Sequence, residues 1–372
     1  MNDEEAIAAI TLSLMPGLTL SQALQVVRHY GSACAAFADT GQSCKHWREA
    51  FKDQSGLRSA RERALREMEF CEKHGIEVIP VSSSKYPELL ASCNDAPVVL
   101  FYRGTASLNR AHTISVVGTR RITDYGRRLC RQFCHDLAEA LPDCLVVSGL
   151  AYGVDVHTHR AALENGLETV GILAHGLDRI YPAMHRNTAA EMTHQGGLLT
   201  EYLSGTIPEK GNFIRRNRIV AGLSPLTIIV ESAAKGGALV TARLAGSYNR
   251  EVMAFPGRVG DEFSEGCNAL LANNEASIIS SADDVLKMMN WKKRQEKKQA
   301  EELPQLFPPS EFSSEAQAII HVLRGTDGLH QNRIIELTHL DPHTVISTLS
   351  MLQVEGTVCR MQAAGVYALS GI

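Results

Sequence analysis

The chain has 372 residues, 37 Lys and Arg against 41 Asp and Glu, and a formal charge of −4. Its 44% hydrophobic and 21% charged residues are those of an ordinary globular protein, which excludes a wholly disordered or low-complexity chain. At roughly 150 residues per domain the length predicts two or three domains, and the slight acid excess argues against bulk-charge binding of nucleic acid while leaving room for a local basic groove.

The N-terminus, MNDEEAIAAI, is acidic and lacks the basic stretch and apolar core of a secretion signal. No apolar run reaches about 18 residues, so no membrane contact through a spanning helix is expected. The nine cysteines include no CxxC pair and read as reduced thiols of a cytoplasmic protein. Cys130 and Cys134 sit one helical turn apart beside His135, and read as small core-facing residues rather than metal ligands.

Residues 1–75 predict a helical domain. LSLMPGLTLSQALQVVRHYGSACAAF has apolar residues at helical spacing, broken at Pro16–Gly17 and at Gly31. This is the layout of a helix-hairpin-helix or SAM-like module. Arg58–Lys73 continues as a charged amphipathic helix. From Ile76 the period changes, and residues 76–290 alternate short apolar runs with helical segments. The strands expected are Glu77–Val81, Val98–Tyr102, Ile114–Val117, Leu145–Val147, Thr169–Leu173, Leu198–Tyr202, Thr227–Val230, Val252–Phe255 and Ser277–Ile279. Helices are expected over Tyr125–Ala140, Asp155–Asn165, Ala183–Gln195, Asn212–Gly222 and Val240–Asn249. Repeated strand–helix–strand units predict an α/β fold with a doubly wound, mostly parallel sheet, which binds ligands at the carboxyl ends of its strands. Residues 291–312, charged and then Pro-rich, read as a linker. Residues 313–372 predict three helices and a hairpin, a winged-helix-like domain whose third helix has almost no Arg or Lys to read a groove.

Four stretches carry candidate chemistry. In ISVVGTRRITDYGRR, a strand ends at Gly118, and Thr119, Arg120 and Arg121 follow before Thr123–Asp124 caps a helix. Backbone donors, a hydroxyl and two guanidiniums suit a phosphate. In LVVSGLAYGVDVHTHRAAL, Ser148–Gly149 offers a second donor-rich turn, outside any GxSxG elbow. His157 and His159, two apart on a helix, face away from each other, so no metal is expected there, and Asp155 and His159 read as orienting the loop. In SGTIPEKGNFIRRNRIVAGL, Phe213 sits among Lys210, Arg215, Arg216 and Arg218, and Asn217 and the arginines continue into an apolar helix. Cations that track phosphates and an aromatic that stacks on an unpaired base are the needs of a single-strand groove. In VESAAKGGALVTARLAG, Gly236–Gly237 opens a helix beside Lys235. Neither GxxxxGK[ST] nor GxGxxG occurs, so P-loop hydrolysis and a dinucleotide cofactor are not expected.

Taken jointly, GTRRITDYG, VVSGLAYGVDVHTHRAAL, AHGLDRIYP, TEYLSGTIPEKGNFIRRNRIVAGLS, VESAAKGGALVTARLA and REVMAFPG resemble the DNA processing protein A family (DprA, also called Smf) over roughly residues 76–285. The resemblance implies an extended Rossmann-like domain that binds single-stranded DNA, without catalytic residues, cofactor or metal. It implies strand protection and loading of RecA recombinase during natural transformation and DNA recombination, and a homodimer. Carried over by motif, Arg120, Lys210, Phe213, Arg216, Asn217 and Arg218 would contact DNA. Two departures stand out: Thr158 replaces the usual Ala before the family's His, and Gly236 replaces a Ser in SG-x-L, which removes a hydroxyl. An alternative is a nucleotide phosphoribohydrolase-like enzyme on the same fold, but KGGALVTARL has no Glu where PGGxGTxxE would supply the acid.

Overall fold

The computed structural model describes residues 3–39, 48–293 and 313–369, apart from 324–325, 327, 355–358 and 364. The chain forms two compact units, Met1–Arg294 and Gln295–Ile372.

The first unit opens with α1 (Asp3–Leu14), α2 (Leu20–Tyr30), α3 (Ala33–Ala38), α4 (Arg48–Lys52) and α5 (Gln54–His74). A capping box starts α2: Thr19 Oγ1 accepts the Gln22 amide at 3.3 Å, and the Gln22 side chain accepts the Thr19 amide at 2.8 Å. Ile10, Leu12 and Leu24 of these helices pack in one core with Leu100, Phe101 and Ile172 of the sheet. The expected boundary at residue 75 therefore marks a change of hydrophobic period, not a break in packing.

The strands are β1 (Glu77–Pro80), β2 (Val99–Gly104), β3 (Thr113–Val117), β4 (Leu145–Ser148), β5 (Thr169–Ile172), β6 (Gly196–Thr200), β7 (Leu226–Ile229), β8 (Glu251–Ala254) and β9 (Ser277–Ile278). They form one sheet in the order β1-β2-β6-β5-β4-β3-β7-β8-β9. The β1–β2 and β2–β6 pairs are antiparallel, and every other pair is parallel. Each expected strand is present, shifted by one or two residues at its ends.

The helices between them are α6 (Glu88–Ala91), α7 (Asp124–Ala140), α8 (Val154–Glu164), α9 (Arg186–His194), α10 (Lys210–Gly222), α11 (Gly237–Ser247), α12 (Glu265–Ala272) and α13 (Ala282–Met289). Ile114, Val116, Val146, Leu226 and Ile228 face a core with Phe133 and Leu137 of α7 and Val285 of α13. Val117, Leu145, Val147, Ile172 and Ile229 face the opposite layer, with Ile219 of α10 and Leu239 of α11. Alternate strand residues thus enter opposite layers, and the central strands are buried on both faces, as their continuous apolar runs require. Each of these strand Ile and Leu side chains is fully buried and contributes about 1.5–3 kcal/mol.

The chain adds β4, β5 and β6 on one side of β3, then crosses to β7 on the other. The carboxyl ends of β3 and β7 therefore flank the point where strand order reverses, the place of the ligand crevice in open α/β sheets.

The second unit holds α14 (Ser314–Leu323), α15 (Gln331–Thr338), α16 (Pro342–Val354), and an antiparallel sheet of β10 (Leu329–His330), β11 (Cys359–Ala363) and β12 (Val366–Leu369) in the order β10-β12-β11. Ile319, Leu323, Ile334, Val345 and Leu349 form its core. The three helices and the hairpin match expectation; β10 is an addition. The expected linker lies outside the described residues except for 291–293. Among the described residues, no helix is long and apolar enough to cross a membrane.

Candidate nucleic-acid interface

Three loops converge at the switch point. The first follows β3. Its Thr119 amide donates to the Glu231 carbonyl at 2.7 Å, tying it to the end of β7. Thr123 then caps α7 by accepting the Gly126 amide at 3.2 Å. The Thr123 amide, at 3.0 Å, and its hydroxyl both donate to the Glu231 carboxylate. Glu231 is 3% exposed and holds the Arg120–Arg121 loop at both ends. It was not among the expected site residues, although an acid ending an apolar strand is a signal for such a role.

The second loop follows β4. The Val154 amide donates to the Thr119 carbonyl at 3.1 Å, so this loop carries the first. Gly153 is at φ 79°, and a Cβ there would lie 2.1 Å from the Thr119 oxygen. Gly153→Ala is expected to cost about 2–4 kcal/mol, read as a lower urea midpoint, because it adds left-handed strain to a main-chain collision.

On this base Arg120 stands exposed. Its guanidinium carbon lies 4.8 Å above the centre of the Phe213 ring, a contact contributing roughly 0.5–1 kcal/mol at an exposed site. The ring of Tyr181, 45% exposed on the third loop, lies 5.9 Å from Phe213. Tyr181 escaped residue-level reading because it lies between β5 and α9, away from the basic stretches. Lys210 starts α10 and is exposed, three residues before half-buried Phe213 and so on its side of the helix. Arg215 on α10 is exposed, as is Arg121, whose guanidinium lies 5.2 Å from the centre of the Phe263 ring.

Four expected contacts are placed elsewhere. Arg216, 3% exposed, donates to the carbonyls of Gly149, at 2.7 Å, and of Ile172, closing the carboxyl ends of β4 and β5. Its charge also faces Asp155, which accepts the Ala151 amide at 3.3 Å. Burial holds the Asp155 carboxyl above the usual carboxylate range, and the Arg216 charge offsets only part of that rise. Arg218, on another face of α10, is buried in an ion pair with Glu201. These two arginines fasten α10 to the sheet and do not line a groove. Ser148 is buried, with its hydroxyl donating to the Val116 carbonyl at 2.6 Å, and Gly149 abuts Arg216 and Asp155, so neither presents a donor to the crevice. Asn217 is half-buried.

His159 is fully buried and pairs through Nδ1 with Thr169 Oγ1 at 2.7 Å; burial lowers it to about 3, so it is neutral. At the start of α11, a Cβ on Gly236 would lie 2.2 Å from Ser232 Oγ. Gly237 is open to solvent beside exposed Lys235.

The sequence profile of the family described as DNA recombination-mediator protein A matches residues 77–290, which hold all three loops and more than half of the chain. The chain belongs to this family. It is 37% identical to Protein Smf of Escherichia coli over 215 residues, 58% of this chain but 57% of that protein's length. It is 37% identical to DNA processing protein DprA of Bacillus subtilis over 214 residues, 57% of this chain and 71% of that one. Among solved structures, that of DprA from Streptococcus pneumoniae is similar with a TM-score of 0.64 and 28% identity, covering 77% of this chain and 97% of that one. DprA from Helicobacter pylori, whose structure is described by its single-stranded DNA binding mode, is similar with a TM-score of 0.52 and 29% identity, covering 58% of this chain and 95% of that one. Glu231, Gly153 and the buried arginines of α10 all belong to this recombination-mediator region of the chain.

Proposed function

We propose that the protein binds single-stranded DNA at the switch-point crevice. Arg120, Arg121, Lys210 and Arg215 take phosphates, the amide of exposed Gly237 at the start of α11 adds a backbone donor, and Phe213 stacks on an unpaired base. The observation that carries this reading is the Arg120 guanidinium over Phe213, exposed at the strand ends with Lys210 on the same side of α10. A cation and an aromatic face in one place suit a charged backbone with free bases, and a duplex offers no free face to stack. Family membership and the binding mode described for the Helicobacter pylori protein support the reading.

On this reading the protein is a non-enzymatic cytoplasmic factor that protects incoming single strands and delivers them to RecA recombinase in transformation and recombination, acting as a homodimer. The N-terminal helices are a helix-hairpin-helix or SAM-like element, and the second unit is a winged-helix-like domain. A gel shift at moderate salt is expected to retain a single-stranded oligonucleotide in preference to its duplex. Equal retention of both would overturn the reading. Release of free base from nucleoside monophosphates would favour the phosphoribohydrolase alternative instead.

A further inference from the structure

Helices α7 and α8 pack against each other and both start at the crevice, α7 behind the Arg120 loop and α8 behind Gly153. Their first two turns carry Arg127, Arg131, His157 and Arg160. Arg127 and Arg131 are four apart and share a face of α7, while His157 and Arg160 are three apart on α8. All three arginines are exposed, and His157 is half-buried among them. Burial first, and then the charges of Arg127, Arg160 and Arg131, hold this imidazole below the usual histidine range. Arg127 is paired with Asp124 at 2.5 Å. Among the described residues, Arg131 and Arg160 have no carboxylate within ion-pair distance; Arg160 Nε donates to Thr188 Oγ1 at 3.1 Å. A run of arginines on one exposed helix is usually just a solvated face. Here cations from two helices converge on an imidazole whose charged form they disfavour, a self-repelling arrangement that an anion would relieve.

The place of the cluster says which anion. Arg131 lies about 10 Å along α7 from its first residue, at 1.5 Å per residue, so the cluster adjoins the Arg120 loop. Tyr152, 43% exposed, sits on the loop that carries Thr119, next to Gly153. We propose that Arg127, Arg131 and Arg160 form a second phosphate-binding patch that takes the backbone of the same single strand as it leaves Arg120. The inference rests on the crevice being a single-strand site. It extends that site along α7 and α8, in the direction opposed to α10.

The test combines Arg131→Ala and Arg160→Ala in the full chain, with thermal melting as a check on folding. Affinity for a short and a long oligothymidylate is measured at several salt concentrations. The short strand, which fills only the crevice, is expected to bind unchanged. The long strand is expected to bind roughly tenfold more weakly, with a salt slope lower by about 1.4, two contacts at about 0.7 each. Unchanged affinity and slope for the long strand would overturn the proposal and leave an acidic protein surface as the partner of the patch. Equal losses on both lengths would also overturn it, since the arginines would then act through the fold. Lys210→Ala, measured alongside, separates the two readings. If it weakens both lengths while the arginine pair changes nothing, the extension alone fails. If Lys210→Ala changes nothing, the crevice reading fails and the extension with it.

Discussion

Arg216→Ala is expected to destabilise the protein by about 3–5 kcal/mol, seen as a large fall in the urea midpoint, with loss of DNA binding only as a consequence. The guanidinium ends two strands at once, through the carbonyls of Gly149 and Ile172, and supplies the charge opposite buried Asp155. Removing it leaves two buried acceptors and a carboxylate without their partner, the costly half of breaking a buried pair. Arg216→Lys is expected to recover part of the loss, because the charge returns without the planar fork. A variant with wild-type stability and weakened DNA binding would show that Arg216 serves the ligand after all.

The opposite behaviour is expected at the surface. Arg120→Ala combined with Lys210→Ala is expected to lower single-strand affinity by about a hundredfold, or about 2.7 kcal/mol, while stability changes by less than about 1 kcal/mol. Both side chains are exposed, so little packing is lost. Two phosphate contacts go, and Phe213 loses the guanidinium that lies over its ring. Pairing these variants with Arg216→Ala separates residues that touch the strand from those that hold the surface in place. Ordinary loss-of-binding data alone would confuse the two.

The residues show how far a sequence carries such an account. Strands β3, β4 and β7 were legible because a strand covered on both faces must be apolar throughout, and Ile114–Val117 or Leu226–Ile229 allow little else. The antiparallel edge of β1 and β2 was not legible, since strand direction leaves no trace in periodicity. Within IRRNRIV the four basic and polar residues look alike as chemistry. Only the fold sorts them: Arg216 and Arg218 are buried and Arg215 is exposed, although Arg215 and Arg216 stand four and three residues before the same buried Ile219. Glu231 escaped because its role exists only after β3 and β7 become neighbours. Tyr181 escaped because the fold alone brings the β5 loop beside α10.

The charge of −4 also takes on a structure. Part of the positive charge is internal and neutralised, as in Arg218 with Glu201. The rest of what matters here is exposed at one set of strand ends, in Arg120, Arg121, Lys210, Arg215 and Lys235. A mildly acidic chain can therefore present a cationic crevice, because what a strand meets is the local field and not the sum.

The central claim is that this crevice grips the backbone of a single strand through its exposed cations. Its most direct test is single-strand affinity against salt concentration for the wild type and the Arg120→Ala/Lys210→Ala variant. The account predicts a steep wild-type dependence whose slope falls by about 1.4 in the variant, two contacts at about 0.7 each. Identical slopes for the two proteins would contradict it.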